Sequence, residues 1–130
     1  MRESSLPSPD ILIVDDSEAI RSTLSQMVGA PHRSIEQLDS TGMSVETVAQ
    51  KVMVSTARVI SLDGNYRDGT AVNILSKVEP NQKKFIVLTG DNAVAEQVKT
   101  FYPQVTVIVK CTPGDLKNYR ETVRRYTPEA

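Results

Sequence analysis

The chain has 130 residues, enough for one compact domain and too few for a two-domain enzyme. Fifteen Lys and Arg against sixteen Asp and Glu leave a net charge of −1, which excludes the electrostatic footprint of a general nucleic-acid or polybasic membrane binder. Hydrophobic residues make up 39% and charged residues 24%, a globular balance, and with 5% aromatics and no Trp the core must be aliphatic. Cys111 is the single cysteine, so neither an intramolecular disulfide nor a Cys-rich zinc site can form, and a cytoplasmic setting is expected.

Residues 1–9 read as a flexible lead containing Ser4, Ser5, Pro7, Ser8 and Pro9, with no apolar stretch long enough for a signal peptide or a membrane span. Ile11, Leu12, Ile13 and Val14 form an unbroken apolar run ending at Asp15 and Asp16, as a strand buried on both faces does. Ser17 then caps a helix carrying Ile20, Leu24, Met27 and Val28, stopped by Gly29 and Pro31. Ser34 to Leu38 predicts a poor edge strand, followed by a helix with Val45, Val48, Ala49 and Val52 on one face. A third apolar run, Val59 to Leu62, ends at Asp63, and a helix from Gly69 onward shows Val72, Leu75 and Val78. A fourth, Phe85 to Leu88, ends at Thr89 and precedes a helix with Val94, Val98 and Phe101. The last, Val105 to Val109, ends at Lys110, and Leu116, Tyr119, Val123 and Tyr126 mark a final helix after Pro113. The alternation predicts an α/β fold of five βα units, a parallel sheet with helices on both faces, because each parallel crossover needs a helix.

Ligands of a doubly wound sheet bind beyond the carboxyl ends of its strands. Here those ends present Asp15, Asp16, Asp63, Thr89 and Lys110. Three carboxylates converging to ~4 Å repel by about 4 kcal/mol per pair at an effective dielectric of ~20, so a cation is required. All-oxygen ligands on a water-facing rim favour Mg2+, which keeps several waters and takes phosphate oxygens. Lys110 adds a fixed positive charge and Thr89 a hydroxyl donor, a set arranged to hold a dianionic group beside a carboxylate. Phosphoryl transfer is the chemistry such a set serves.

These residues resemble the receiver domain of two-component response regulators, over about Pro9 to Tyr126. The first strand with Asp15 and Asp16, the loop Leu62-Asp63-Gly64-Asn65-Tyr66-Arg67-Asp68-Gly69, Thr89-Gly90 and Val109-Lys110 are similar to the family's acidic pair, phosphoacceptor loop, switch hydroxyl and lysine motifs, in the same order. The resemblance implies a flavodoxin-like doubly wound (βα)5 parallel sheet in strand order 2-1-3-4-5, a domain over 10–127 and a short tail at 128–130. It implies that Asp63 accepts a phosphoryl group, with Thr89 and Lys110 assisting. Asp16 and Asp63 would ligate Mg2+ directly, Asp15 mostly through water, and Asn65 through its backbone carbonyl. The implied partners are a sensor histidine kinase or phosphotransfer protein and a downstream effector, with no nucleic acid and no membrane, and the output surface would run from about Asn92 to Tyr126. Such a chain catalyses its own phosphorylation and dephosphorylation rather than turning over a substrate. Because little follows Tyr126 and Met1 opens the chain, a stand-alone protein is expected.

The sequence departs from the family pattern at four places. Val107 stands where an aromatic switch is common, Cys111 where a proline follows the lysine, and Tyr66-Arg67 where Leu-Pro is frequent; the second strand is weak. A degenerate receiver acting as a constitutive, non-phosphorylated interaction domain is therefore the alternative, and a small phosphatase of the haloacid-dehalogenase type is a third reading, against which its Asp-x-Asp pattern is absent here. His32, lacking a second His or nearby Cys, reads as solvated rather than metal-binding. Tyr119 and Tyr126 read as packing residues with hydrated hydroxyls, and Arg124-Arg125 as a charge complement to a helix C-terminus.

Overall fold

The computed structural model describes residues 9–29, 34–78, 83–109 and 113–127. The lead at 1–8, Pro31, His32, Lys110, Cys111 and the tail at 128–130 lie outside the described residues. In chain order the elements are β1 (Ile11–Asp15), α1 (Glu18–Val28), β2 (Ile35–Asp39), α2 (Val45–Val54), β3 (Val59–Asp63), β4 (Asn65–Tyr66), β5 (Gly69–Thr70), α3 (Ala71–Val78), β6 (Lys84–Thr89), α4 (Asn92–Phe101), β7 (Thr106–Val109) and α5 (Pro113–Tyr126). β2, β1, β3, β6 and β7 form one parallel sheet in that spatial order, which is 2-1-3-4-5 when only sheet strands are counted. β4 and β5 make a separate two-residue antiparallel hairpin that the sequence reading did not anticipate.

Period-two alternation along the strands divides the core into two layers. Ile11, Ile13, Val59, Ile86 and Ile108 face α1 and α5, where Leu24, Val28, Tyr119 and Val123 close over them. Leu12, Val14, Ile60, Leu62, Phe85 and Val87 face α2, α3 and α4, against Val48, Val52, Ile74, Leu75, Val94 and Val98. Every residue of β1 is buried, whereas β2 pairs on one side only and shows the half-exposed pattern of an edge. Each aliphatic side chain taken fully from water contributes about 1.5–3 kcal/mol, so this two-layer core is the main stabilising force.

Ser17, Ser44 and Asp91 cap α1, α2 and α4, each side chain accepting from backbone amides of the first turn. Gly29 ends α1 with extended backbone, not the left-handed conformation common at such positions. One expected helix face is shifted and one is filled out. In α3 Leu75 is buried with Ala71 and Ile74, and Val72 and Val78 pack part-buried against the same layer. In α4 Phe101 is 64% exposed; Tyr102, where the chain leaves the helix, packs against the core in its place.

The Tyr119 hydroxyl is not hydrated as expected: the residue is fully buried between α5 and the sheet. Burial therefore holds its ionisation well above the ordinary tyrosine range. The Tyr126 hydroxyl shares a 2.7 Å hydrogen bond with Thr106 on β7. Arg124 and Arg125 occupy the last turn of α5, where a helix terminus favours cations. Among the described residues, no helix is long and apolar enough to cross a membrane.

Arg21 on α1 is nearly buried, and its Nη1 donates to the Asp15 carbonyl at 2.9 Å while lying 3.5 Å from Asp39 Oδ1. It joins the ends of β1 and β2 from behind. Arg21→Met keeps the packed stem but removes the charged donor, and it is expected to lower the unfolding free energy by about 1–3 kcal/mol. In urea titrations this reads as an earlier midpoint at unchanged slope.

Candidate functional site

The carboxyl ends of β1 and β3 bring Asp15, Asp16 and Asp63 together, with a carboxylate oxygen of each within 4.8 Å of the others. Asp15 ends β1 and is 3% exposed; Asp16 is exposed; Asp63 ends β3 half-buried. Local backbone donors orient two of the three acids. The Ser17 amide donates to Asp15 Oδ1 at 2.9 Å, and the Gly64 amide to Asp63 Oδ1 at 2.7 Å. The Asp15 carbonyl accepts from the Ser40 amide as well as from Arg21, and the Asp16 carbonyl accepts from the Thr41 hydroxyl at 3.2 Å. The acidic turn after β1 is thus tied to the turn after β2.

Three carboxylates at this spacing repel one another by several kcal/mol in total at an effective dielectric of about 20. The donor set is all oxygen and opens to water at Asp16, which suits a hard divalent cation better than a softer metal that prefers imidazole or thiolate. A span of 4.8 Å is one that a single hydrated ion bridges, directly or through one of its waters. Asn65 opens the β4–β5 hairpin immediately beyond Asp63 and Gly64, on the same rim.

Thr89 ends β6 and is fully buried. Its hydroxyl accepts from the Asp91 amide at 3.0 Å and sits directly over Gly64, where an added Cβ would meet Thr89 Oγ1 at 2.2 Å. Gly64 is needed for that close approach. Gly90 is exposed beside it. Lys110, expected on the same rim after β7, lies outside the described residues.

Sequence reasoning missed the residues that hold the rim in shape. Tyr66 packs its ring against the α2–α4 core layer, and its hydroxyl is buried with no hydrogen-bonding partner among the described residues. Burial pushes that phenol well above the ordinary range, and the charges of Asp63, Asp15 and Asp16 push it further, so it stays neutral. Thr41 donates its hydroxyl and its amide to Asp39, holding that carboxyl below its usual range with Arg21 assisting. Gly42, at φ 70°, makes the left-handed turn that follows. The signal for Tyr66 was its position next to Asn65; nothing in the letters marked Arg21 or Thr41 as neighbours of the acids.

No family model matches the sequence, and no curated protein matches it. Solved structures do. Response regulator protein TrrA from Thermotoga maritima, in complex with Mg2+ and BeF, superposes with a TM-score of 0.67 at 19% identity, over 88% of this chain and 98% of that one. A CheY-like response regulator receiver domain protein from Methanospirillum hungatei JF-1 gives 0.67 at 19% identity, over 95% and 100%. A de novo designed Rossmann 2x3 protein gives 0.70 at 13% identity, over 91% of each chain. A designed protein shares the architecture, so the likeness speaks of fold and leaves chemistry to the side chains on the rim. The chain has the flavodoxin-like fold of response regulator receiver domains.

Proposed function

We propose that the chain is a phosphoacceptor receiver that takes a phosphoryl group onto Asp63 and signals by binding a partner protein. The observation that carries this reading is the convergence of Asp15, Asp16 and Asp63 at the carboxyl end of a sheet with receiver topology. Asp16 and Asp63, with the Asn65 carbonyl, would hold Mg2+ directly and Asp15 through water, and the ion would neutralise charge on the transferring group. TrrA, whose structure contains Mg2+ and BeF, supports that assignment by likeness of fold.

The chain's own residues do the rest. The Gly64 amide fixes one oxygen of Asp63 and thereby orients the carboxylate for in-line attack on phosphorus. With a phosphohistidine donor, the P–N bond breaks as the P–O bond to Asp63 forms, and the imidazole leaves with a proton from solvent. Lys110, next in sequence after β7, is assigned to a phosphoryl oxygen. Thr89 would rotate from the Asp91 amide toward the phosphoryl group, changing the β6–α4 connection and hence the face from Asn92 to Tyr126. A histidine kinase or phosphotransfer protein is the donor in this reading, and an effector protein the receiver of the signal, in the cytoplasm. Val107 on β7 carries no aromatic ring, so Thr89 must act without a tyrosine switch there.

Incubated with Mg2+ and acetyl phosphate, the wild type is expected to gain one phosphoryl mass that survives acid and is lost in alkali, whereas Asp63→Asn gains none. Absence of the adduct, together with no Mg2+-dependent change in amide shifts at Asp16 and Asp63, would favour the constitutive, non-phosphorylated interaction domain.

Because Thr89 is seated over Gly64, Gly64→Ala should dislodge the hydroxyl and destabilise the fold by about 1–3 kcal/mol, as overpacking does. Combining it with Thr89→Gly removes both side-chain atoms that the new methyl would meet, Thr89 Oγ1 at 2.2 Å and Thr89 Cβ at 2.5 Å. Urea unfolding of the double variant is then expected to show a smaller loss than the two single losses added together.

A further inference from the structure

The β4–β5 hairpin is fixed on both sides of its turn. Asp68 Oδ1 accepts from the Val45 amide at the start of α2 at 2.8 Å, and Gly69 presses so closely that a Cβ there would meet Val45 Cγ2 at 2.8 Å. Before the turn, Tyr66 packs against the core layer that contains Val14, Val45 and Leu62. Tyr66 and its chain neighbour Asn65 line a cleft of about 320 Å3 together with Asp16.

Packing explains the Tyr66 ring and leaves its hydroxyl unexplained. A phenylalanine would fill the same layer without taking a polar atom out of water, and a buried donor that finds no acceptor lowers stability. The hydroxyl is enclosed, so bulk water does not serve it, and it has no hydrogen bond among the described residues. Such orphans are rare in native structures, and support of a bound ligand is one reason to retain them.

What surrounds the hydroxyl is the acid rim. After burial itself, the strongest influences on the phenol are the charges of Asp63, Asp15 and Asp16, in that order, and the backbone of Asp63 acts in the opposite sense, as only a close neighbour does. The phenol stays neutral and keeps its proton to donate. A donor to a carboxylate makes a charge-assisted bond, stronger than one between two neutral groups. In the structure two of these acids are turned to backbone amides, Asp63 Oδ1 to Gly64 and Asp15 Oδ1 to Ser17, and mutual repulsion opposes closer approach of the three. A cation held among them removes that repulsion.

We propose that Tyr66 is a positioning residue of the cation site, its hydroxyl donating to a carboxylate of the ligand set, Asp63 before the others, when the acids close on the ion. The inference rests on the reading of Asp15, Asp16 and Asp63 as a Mg2+ site, and it gives Tyr66 no contact with the ion. Ligating carboxylates are themselves held by outer hydrogen bonds, and loss of one such bond weakens metal binding by about ten- to a hundredfold.

The test titrates wild type and Tyr66→Phe with Mg2+, following the amide shifts of Asp16 and Asn65, and measures urea unfolding of both proteins without Mg2+. Tyr66→Phe keeps the ring and loses only the hydroxyl. It is expected to raise the Mg2+ dissociation constant about tenfold, while the urea midpoint of the metal-free protein stays at or above that of wild type because an unsatisfied group has gone. A weaker site in an equally stable protein is an outcome that packing alone does not produce. An unchanged Mg2+ affinity in Tyr66→Phe would overturn the proposal and leave the metal site standing. A fall in both affinity and metal-free midpoint would also overturn it, making Tyr66 a packing residue. If wild type itself shows no Mg2+-dependent shifts, the cation reading and this inference fall together.

Discussion

Parallel pairing of β1 with β3, from Ile11 opposite Val59 to Val14 opposite Leu62, carries Asp15 and Asp63 one step further to neighbouring positions at the end of the sheet. Both strands are buried in the two-layer core, so a one-residue slip would put every side chain into the layer shaped for its neighbour and draw a terminal carboxylate into the sheet. Burial of Ile11 to Val14 and Val59 to Leu62 thus holds two like charges side by side. Hydrophobic registration sets where the acids stand, and the rest of the rim is organised around them.

That organisation is local and polar. Asp15 is almost inaccessible, and its oxygens meet the Ser17 amide while its carbonyl meets Ser40 and Arg21. The Arg21 guanidinium donates to the Asp15 carbonyl and lies 3.5 Å from Asp39 Oδ1, so it ties the ends of β1 and β2 together. The Asp63 carboxyl takes the Gly64 amide, and the same glycine makes room for Thr89 from β6. A single residue without a side chain therefore links the proposed nucleophile to the hydroxyl expected to report on it. An added Cβ at that position would meet the Thr89 hydroxyl oxygen at 2.2 Å.

The sequence made the frame legible because buried parallel strands read as unbroken apolar runs and each ended in a polar residue that marked the rim. Ile11 to Val14, Val59 to Leu62 and Phe85 to Leu88 were identified this way, and the cap at Ser17 followed from residue type. The β4–β5 hairpin was not, since two-residue strands carry no periodicity to detect. Phe101 misled because its spacing from Val94 and Val98 fits a helix face, but the last turn of α4 gives its core contact to Tyr102 instead. Tyr119 lost its expected water because the α5 stripe is buried more deeply than a surface helix would be. Arg21 and Thr41 could not be read at all, for their partners lie on different strands and pair only once the sheet is assembled.

The designed Rossmann neighbour sets the weight of each observation. If packing alone produces this topology, topology cannot distinguish a signalling domain from an inert scaffold, and the distinction must come from groups that packing does not require. A stable sheet needs no charge beyond the ends of β1 and β3, yet three carboxylates gather there, and their mutual repulsion opposes folding unless something positive joins them. Groups that packing does not require are the ones that bear on chemistry, and on this rim they are Asp15, Asp16 and Asp63.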